Sequence, residues 1–257
     1  MLSEIKSSIY YIYDRIFFNK KLINYKIGNK KFSFYIKDRT SHSWYSNYKS
    51  LAHSELKLTK SIDIKDVRNV LYCGSHQSVV PIIISSLLLK RTFFHCVEAI
   101  NYNHDIAKKN LLFNKLEKKF KLYNYAVSDK DEILYFDSLK TNSNNTKNIL
   151  FKKKIKAKNI NFFINKKNQF DLIYLDIEGM ESKVLPALLK KNLHNIKYLF
   201  IELHGNDILK QYNSSNKKIY ELLVKYNFEI IIMNNNKIYK YRNGEILKNR
   251  HYLMCSR

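Results

Sequence analysis

Along most of the chain, short apolar runs alternate with stretches in which apolar residues recur every three or four positions. From residue 69 the alternation is regular. "NVLYC" (69–73) reads as a buried strand, 79–90 as a helix and "TFFHCVEA" (92–99) as a second strand. A helix at 103–118 carries Ile106, Leu111 and Phe113 in its apolar set, "KLYNYAVS" (121–128) predicts a third strand, and "EILYF" (132–136) a short accessory one. Further on come a strand at 170–176, a helix near 180–191, the strand "KYLFIEL" (197–203) and a helix at 215–226. "FEIIIM" (228–233) and "KIYKYR" (237–242), joined by "NNN", predict an antiparallel hairpin. Strands alternating with helices imply a mostly parallel sheet covered on both faces, so the fold class is α/β, doubly wound, with a C-terminal antiparallel hairpin.

The part before this alternation is less regular. Leu2, Ile5, Ile9, Ile12, Ile16 and Phe17 lie near helical spacing and predict an amphipathic helix over residues 1–20. "KKFSFYIKD" (30–38) alternates as a strand does, and residues 39–60 are polar without a clear period. The chain therefore divides into an N-terminal extension, 1–60, suited to a lid or a substrate-binding element, and a main domain, 61–257. Inside the main domain, 138–169 has few apolar anchors and reads as a long loop. It holds the one compact basic run, Lys152, Lys153, Lys154, Lys156 and Lys158.

An apolar fraction of 45% is enough for a real core. No apolar run reaches the roughly 18 to 20 residues that cross a bilayer. The first residues include Glu4 and Asp14 and lack a small-residue cleavage site, unlike a secretory leader. Cys73, Cys96 and Cys255 have no metal-like spacing and read as reduced thiols of a cytoplasmic protein. No constellation of residues has the spacing of a metal site. The net charge of +24 invites a nucleic-acid partner, yet the excess is lysine in a chain also rich in Asn, Ile, Tyr and Phe. Those are the products of A/T-rich codons, and arginine, which forks onto phosphates and guanines, is scarce. Charge alone supports weak, non-specific binding and no sequence-specific nucleic-acid partner.

Candidate chemistry gathers where the strands end. "DLIYLDIEGMESKVLPALLK" (171–190) runs from a strand into three carboxyl groups, Asp176, Glu178 and Glu181, around Gly179, one of only five glycines. Glu178 and Glu181 fit a helix start, whose positive end favours acids. Asp176 sits on the strand end itself, where parallel sheets bind ligands. The first strand ends in Gly74, the second in Glu98, and the fifth in "IELHG", with Glu202 and His204. A glycine turn followed some twenty residues later by an acid suits a nucleoside-containing cofactor, the acid taking the ribose hydroxyls.

These elements resemble the FkbM family of S-adenosylmethionine-dependent methyltransferases over residues 69–205. "VLYCGSHQS" is similar to the family's V-L-D-x-G-A-N-x-G, "VEAIN" to its E-P-N segment and "AKKNLLFNKL", with Asn110 and Asn114, to its K-x-N-x-x-x-N helix. "YAVSD" resembles A-V-S-D, "LDIEGMESKVLPAL" resembles D-V-E-G-A-E-x-x-V-L-x-G, and "FIELHG" resembles I-E-x-H. The resemblance implies a Rossmann-like domain with S-adenosyl-L-methionine bound by Gly74, Ser75, Glu98, Ala126, Val127 and Asp176. It also implies O-methylation of a sugar or another small or glycan acceptor, with His204 as base and Asp176 holding the acceptor or the cofactor's positive centre. The chain departs from the family at Tyr72, in place of the acid that holds the methionine ammonium or the loop beneath it, and at Ser78, in place of a glycine. Two alternatives stay open: a methyltransferase acting on an RNA cap or ribose, and a fold that has lost catalysis.

Overall fold

In the computed structural model, which describes residues 9–257 apart from 11, 15, 47, 64, 66, 138–151, 165–167, 243 and 246, the regular alternation becomes an eight-stranded sheet. Its central strands are β3 (Asn69–Cys73), β4 (Phe93–Val97) and β9 (Leu172–Leu175). β3 and β9 are buried along nearly their whole length, as expected of parallel strands covered on both sides. They pair in parallel with Leu71 opposite Ile173 and Tyr72 opposite Tyr174. Leu71, Cys73, Ile173 and Leu175 face one core, with Val184, Leu185 and Leu188. Val70, Tyr72, Leu172 and Tyr174 face the other, with Val79 and Ile82. Tyr72 and Tyr174 stack at 4.6 Å between ring centres.

The N-terminal extension shares that second core. β1 (Lys21–Ile27) and β2 (Lys30–Ile36) form an antiparallel hairpin, followed by α1 (Arg39–Tyr45) and α2 (Tyr48–Thr59). Phe34, Ile36 and Leu58 are buried in the same cluster as Val70 and Tyr174. The two helices fall in the stretch 39–60 that carried no period. Asp38 caps α1 by accepting from the Ser41 N–H at 2.7 Å, a local bond that starts a helix without an apolar stripe. Asn110 and Asn114, on α4 (Asn101–Phe113) and just after it, act as a substitute edge strand for β2. Asn110 Oδ1 accepts from the Tyr35 N–H at 2.6 Å, and Asn114 both accepts from the Ser33 N–H and donates to the Ser33 carbonyl.

Several sequence expectations are corrected. The predicted third strand is two: β5 (Phe120–Tyr123) edges the large sheet, and β6 (Ala126–Ser128) enters a second, three-stranded sheet of order β6-β8-β7. There β7 is Glu132–Asp137 and β8 is Lys152–Asn159, so the basic run within the expected loop is a strand. Ile155 and Ala157 point inward while Lys152, Lys153, Lys154 and Lys156 are exposed, and the lysines hid a period of two. The C-terminal hairpin, β11 (Glu229–Asn234) and β12 (Lys237–Lys240), is present, but an unpredicted strand, β13 (His251–Ser256), lies between β11 and β10 (Tyr198–Leu203), antiparallel to both. Residues 9–10, 12–14 and 16–17 are helical, with Ile9, Ile12, Ile16 and Phe17 exposed rather than packed. Leu2 and Ile5 lie outside the described residues. No described helix is long and apolar enough to cross a membrane.

Candidate active site

The turn after β3 is built around Gly74. Its φ is +84°, and a Cβ there would lie 1.7 Å from the backbone oxygen of Asp176, so a side chain would force the ends of β3 and β9 apart. The Gly74 and Ser75 N–H groups both donate to the carbonyl of Val97, at 2.9 and 3.0 Å, tying the turn to β4. Gln77 anchors it from the other side, donating to Asp38 Oδ2 at 2.9 Å and Ser41 Oγ at 2.8 Å. Asn110 Nδ2 donates to the Gln77 carbonyl. Asn110 therefore ties this turn to the N-terminal hairpin, and Asn114 braces the same hairpin. α3 (Val79–Ile84) starts at Ser78, whose φ of +57° is left-handed, a conformation glycine adopts more easily.

Glu98, at the end of β4, is buried. Its Oε2 accepts from the His76 N–H and its Oε1 from the Ile100 N–H, both at 2.8 Å. Burial raises its pKa to about 7, and these hydrogen bonds only partly offset that. Oε1 also accepts from Asn103 Nδ2 at 3.5 Å, which leaves Oε2 with a lone pair for a further hydroxyl donor.

Across the cavity, Asp176 and Glu202 are hydrogen-bonded side chain to side chain. Burial, then the neighbouring Glu202, pushes the Asp176 carboxyl well above the usual range. Burial works in the same direction on Glu202, but the bond from Asp176 and the adjacent Arg250 guanidinium bring it below its usual value. The pair therefore holds one proton between two carboxyl groups, with Arg250 bonded to Glu202 Oε1.

The D-I-E-G-M-E turn explains its own glycine. Glu178 and Gly179 both have positive φ, +56° and +95°, and a Cβ on Gly179 would lie 2.5 Å from Ile208 Cγ2. The reversal aims Glu178 and Glu181 at His204, which is fully buried. Nε2 lies 3.2 Å from Glu178 Oε2, and Nδ1 lies 3.2 Å from Glu181 Oε1. Glu181 Oε1 also accepts from the Ile177 N–H at 2.9 Å, at the start of α5 (Glu181–Asn192). Burial opposes a charge on His204, but Glu181 and Glu178 outweigh it and lift its pKa to about 11. Both ring nitrogens of His204 thus lie near carboxyl oxygens, and His204 is not among the residues that line the cavity.

Gly74, Ser75, Glu98, Ala126, Val127 and Asp176 all line one cavity of about 390 Å³. Sequence reasoning gave no site role to other residues of its wall. Trp44, Tyr45 and Glu55 come from the N-terminal extension, and Arg250 and Tyr252 from the unpredicted β13 and the residue before it. Glu202 was visible in I-E-L-H, one strand away from Asp176, but its bond to Asp176 was not. Tyr45 donates or accepts at His76 Nδ1, 2.8 Å away, linking the extension to the turn.

The model of the methyltransferase FkbM domain matches residues 7–230. The chain belongs to the FkbM methyltransferase family. As such it is a methyltransferase whose cofactor is S-adenosylmethionine. No curated protein matches it. Among solved structures, this FkbM methyltransferase is similar to precorrin-6y C5,15-methyltransferase from Geobacter metallireducens GS-15, at 10% identity over 81% of this chain and 90% of that one, with a TM-score of 0.48. A methyltransferase FkbM from Methylobacillus flagellatus KT matches at 13% identity over 76% of this chain and 44% of that one, TM-score 0.48. The M. capricolum TrmK structure with S-adenosylhomocysteine matches at 14% over 78% and 66%, TM-score 0.44. The residues present suit the cofactor. Glu98 Oε2 keeps a lone pair for a hydroxyl, the Ser75 hydroxyl is buried beside the turn without a partner, and the absent Cβ of Gly74 lets β3 and β9 meet beneath the cavity. Val97, Ala126, Val127 and Leu134 give one wall the apolar character a purine needs.

Proposed function

We propose that this FkbM methyltransferase methylates a hydroxyl of an uncharged, sugar-like acceptor, and that the Asp176–Glu202 pair takes the hydroxyl proton. The observation that carries the reading is the placement of Asp176 and Glu202 together on the cavity wall, with Arg250 bonded to Glu202. S-adenosylmethionine supplies an activated methyl group for in-line displacement. Asp176 and Glu202 would orient the acceptor oxygen and receive its proton as the new bond forms. Arg250 keeps Glu202 ionised in the resting pair, so that one carboxylate is free to take the incoming proton beside the proton Asp176 already holds. His204 acts at a distance, fixing Glu178 and the turn that presents Asp176. Trp44, Tyr45 and Tyr252 offer ring faces to the apolar side of a sugar, and the acidic wall disfavours a phosphate.

An RNA acceptor is the second reading, favoured by the exposed lysines of β8. Those lysines are not among the residues that line the cavity, and Lys158 is paired with Asp131. Labelled S-adenosylmethionine, offered with a panel of methyl glycosides and with capped and uncapped oligoribonucleotides, separates the readings. Label on a glycoside, lost about 10²- to 10⁴-fold in Asp176→Asn, supports the proposal. Label on RNA, or an unimpaired Asp176→Asn, overturns it.

A further inference from the structure

The carboxyl groups on the cavity wall are not equally engaged. Glu98 accepts two backbone N–H groups, Asp176 and Glu202 bond to each other, Glu202 also holds Arg250, and Glu178 faces His204. Glu55 differs. It comes from α2 in the N-terminal extension, is only 8% exposed, and its Oε2 is buried with no hydrogen-bond partner. A buried carboxyl with an unpartnered oxygen is expensive unless a ligand completes it.

The ligand it lacks is a cation. The wall's arginine, Arg250, is already bonded to Glu202, so no lysine or arginine of the wall is left to pair with Glu55. An ammonium donates a hydrogen bond to the open oxygen and, unlike a hydroxyl, also pairs with the carboxylate once its proton leaves. Tyr72, at the end of the strand nearest the glycine turn, offers a phenol but no negative charge, and Glu55 is the carboxyl acting most strongly on it. Resting on the cofactor reading above, we propose that Glu55 is the counter-ion for the ammonium group of S-adenosylmethionine. The N-terminal extension thus supplies the charge that the first strand lacks.

Other groups facing Glu55 are consistent with this role. Tyr72 on β3, Tyr174 on β9, Glu202 on β10, and Arg250 and Tyr252 beside and on β13 surround it. Burial, then Glu202, raises the Glu55 carboxyl to about 8, so near neutral pH the empty site holds its proton there. Arrival of an ammonium would expel that proton.

The experiment compares S-adenosylhomocysteine with methylthioadenosine, which shares the nucleoside and thioether but has no amino-acid end. Binding to the full chain is read from the fluorescence of Trp44, the sole tryptophan and part of the cavity wall, and from calorimetry in buffers of different ionisation enthalpy. Glu55→Gln should weaken S-adenosylhomocysteine roughly tenfold to a hundredfold, the size of a lost charge-assisted bond, and leave methylthioadenosine unchanged. The unaltered protein should release about one proton more on binding the first ligand than on binding the second, the contribution of Glu98 at the shared ribose being common to both. Equal effects of Glu55→Gln on both ligands, or no effect on either, overturn the proposal. If Glu55→Gln does not fold, the proton-release contrast in the unaltered protein decides alone. Failure of both ligands to bind the unaltered protein would instead remove the cofactor reading, a distinguishable outcome.

Discussion

Asp176–Glu202 and Glu178–His204–Glu181 lie within one turn of chain from each other, yet they do opposite things with charge. The first pair is on the cavity wall, shares a proton and leans on an arginine. The second surrounds a fully buried imidazolium and leaves it nothing to exchange. Both are clusters of acids near a histidine in the sequence. What separates them is whether the opposing group is a proton that can move or a fixed cation. The wall cluster is therefore poised to titrate with ligand, while the buried one ties β9 to β10.

The contrast breaks most sharply in activity. Asp176→Asn should lower turnover by about 10² to 10⁴ while shifting unfolding little, as measured by rate assays beside urea melts. His204→Ala should do the reverse, costing about 3 kcal/mol of stability because the buried Glu181 and the partly exposed Glu178 lose their cation. A urea midpoint unchanged by His204→Ala would deny the clasp. pH sharpens the same point. The folded pKa of His204 is raised to about 11, so its contribution is complete below the unfolded value of roughly 6.5 and is lost as pH rises toward 11. Unfolding followed from pH 6 to pH 11 should show this decline in the unaltered protein and a flatter profile in His204→Ala. The smallest effect is expected at Ser78, where replacement by glycine relieves a left-handed serine and should stabilise the turn by about 1 kcal/mol, seen as a raised melting temperature.

The elements that sequence patterns revealed are those whose burial is uniform. β3 and β9 are apolar on both faces, so a short run suffices to mark them. β8 is apolar on one face and lysine on the other, and its mean polarity made it look like a loop. The first helix of 39–59 begins at a capping aspartate, and among the described side chains the two helices pack through the scattered Tyr45, Leu56 and Leu58. The site divides in the same way. Gly74, Glu98 and Asp176 are marked by their places at strand ends, which the α/β pattern already fixes. Glu55 and Arg250 reach the cavity only through tertiary packing of segments with no pattern of their own. The surroundings of His204 were not legible either, because position at a strand end says nothing about which side of the turn a side chain enters.

The placement of β13 has a consequence for how the molecule assembles. β10 and β11 follow one another along the chain, separated by the helix Asn216–Lys225, but a slot one strand wide lies between them. Until His251–Ser256 fills it, both flanking strands present open, apolar edges able to pair with another chain. β13 pairs with β10 across a long stretch of chain, so refolding should be most sensitive to protein concentration before that pairing forms. Arg250 stands at the entry to the same strand, so the acid pair acquires its cation only when the slot closes. Completion of the sheet and arming of the site are one event.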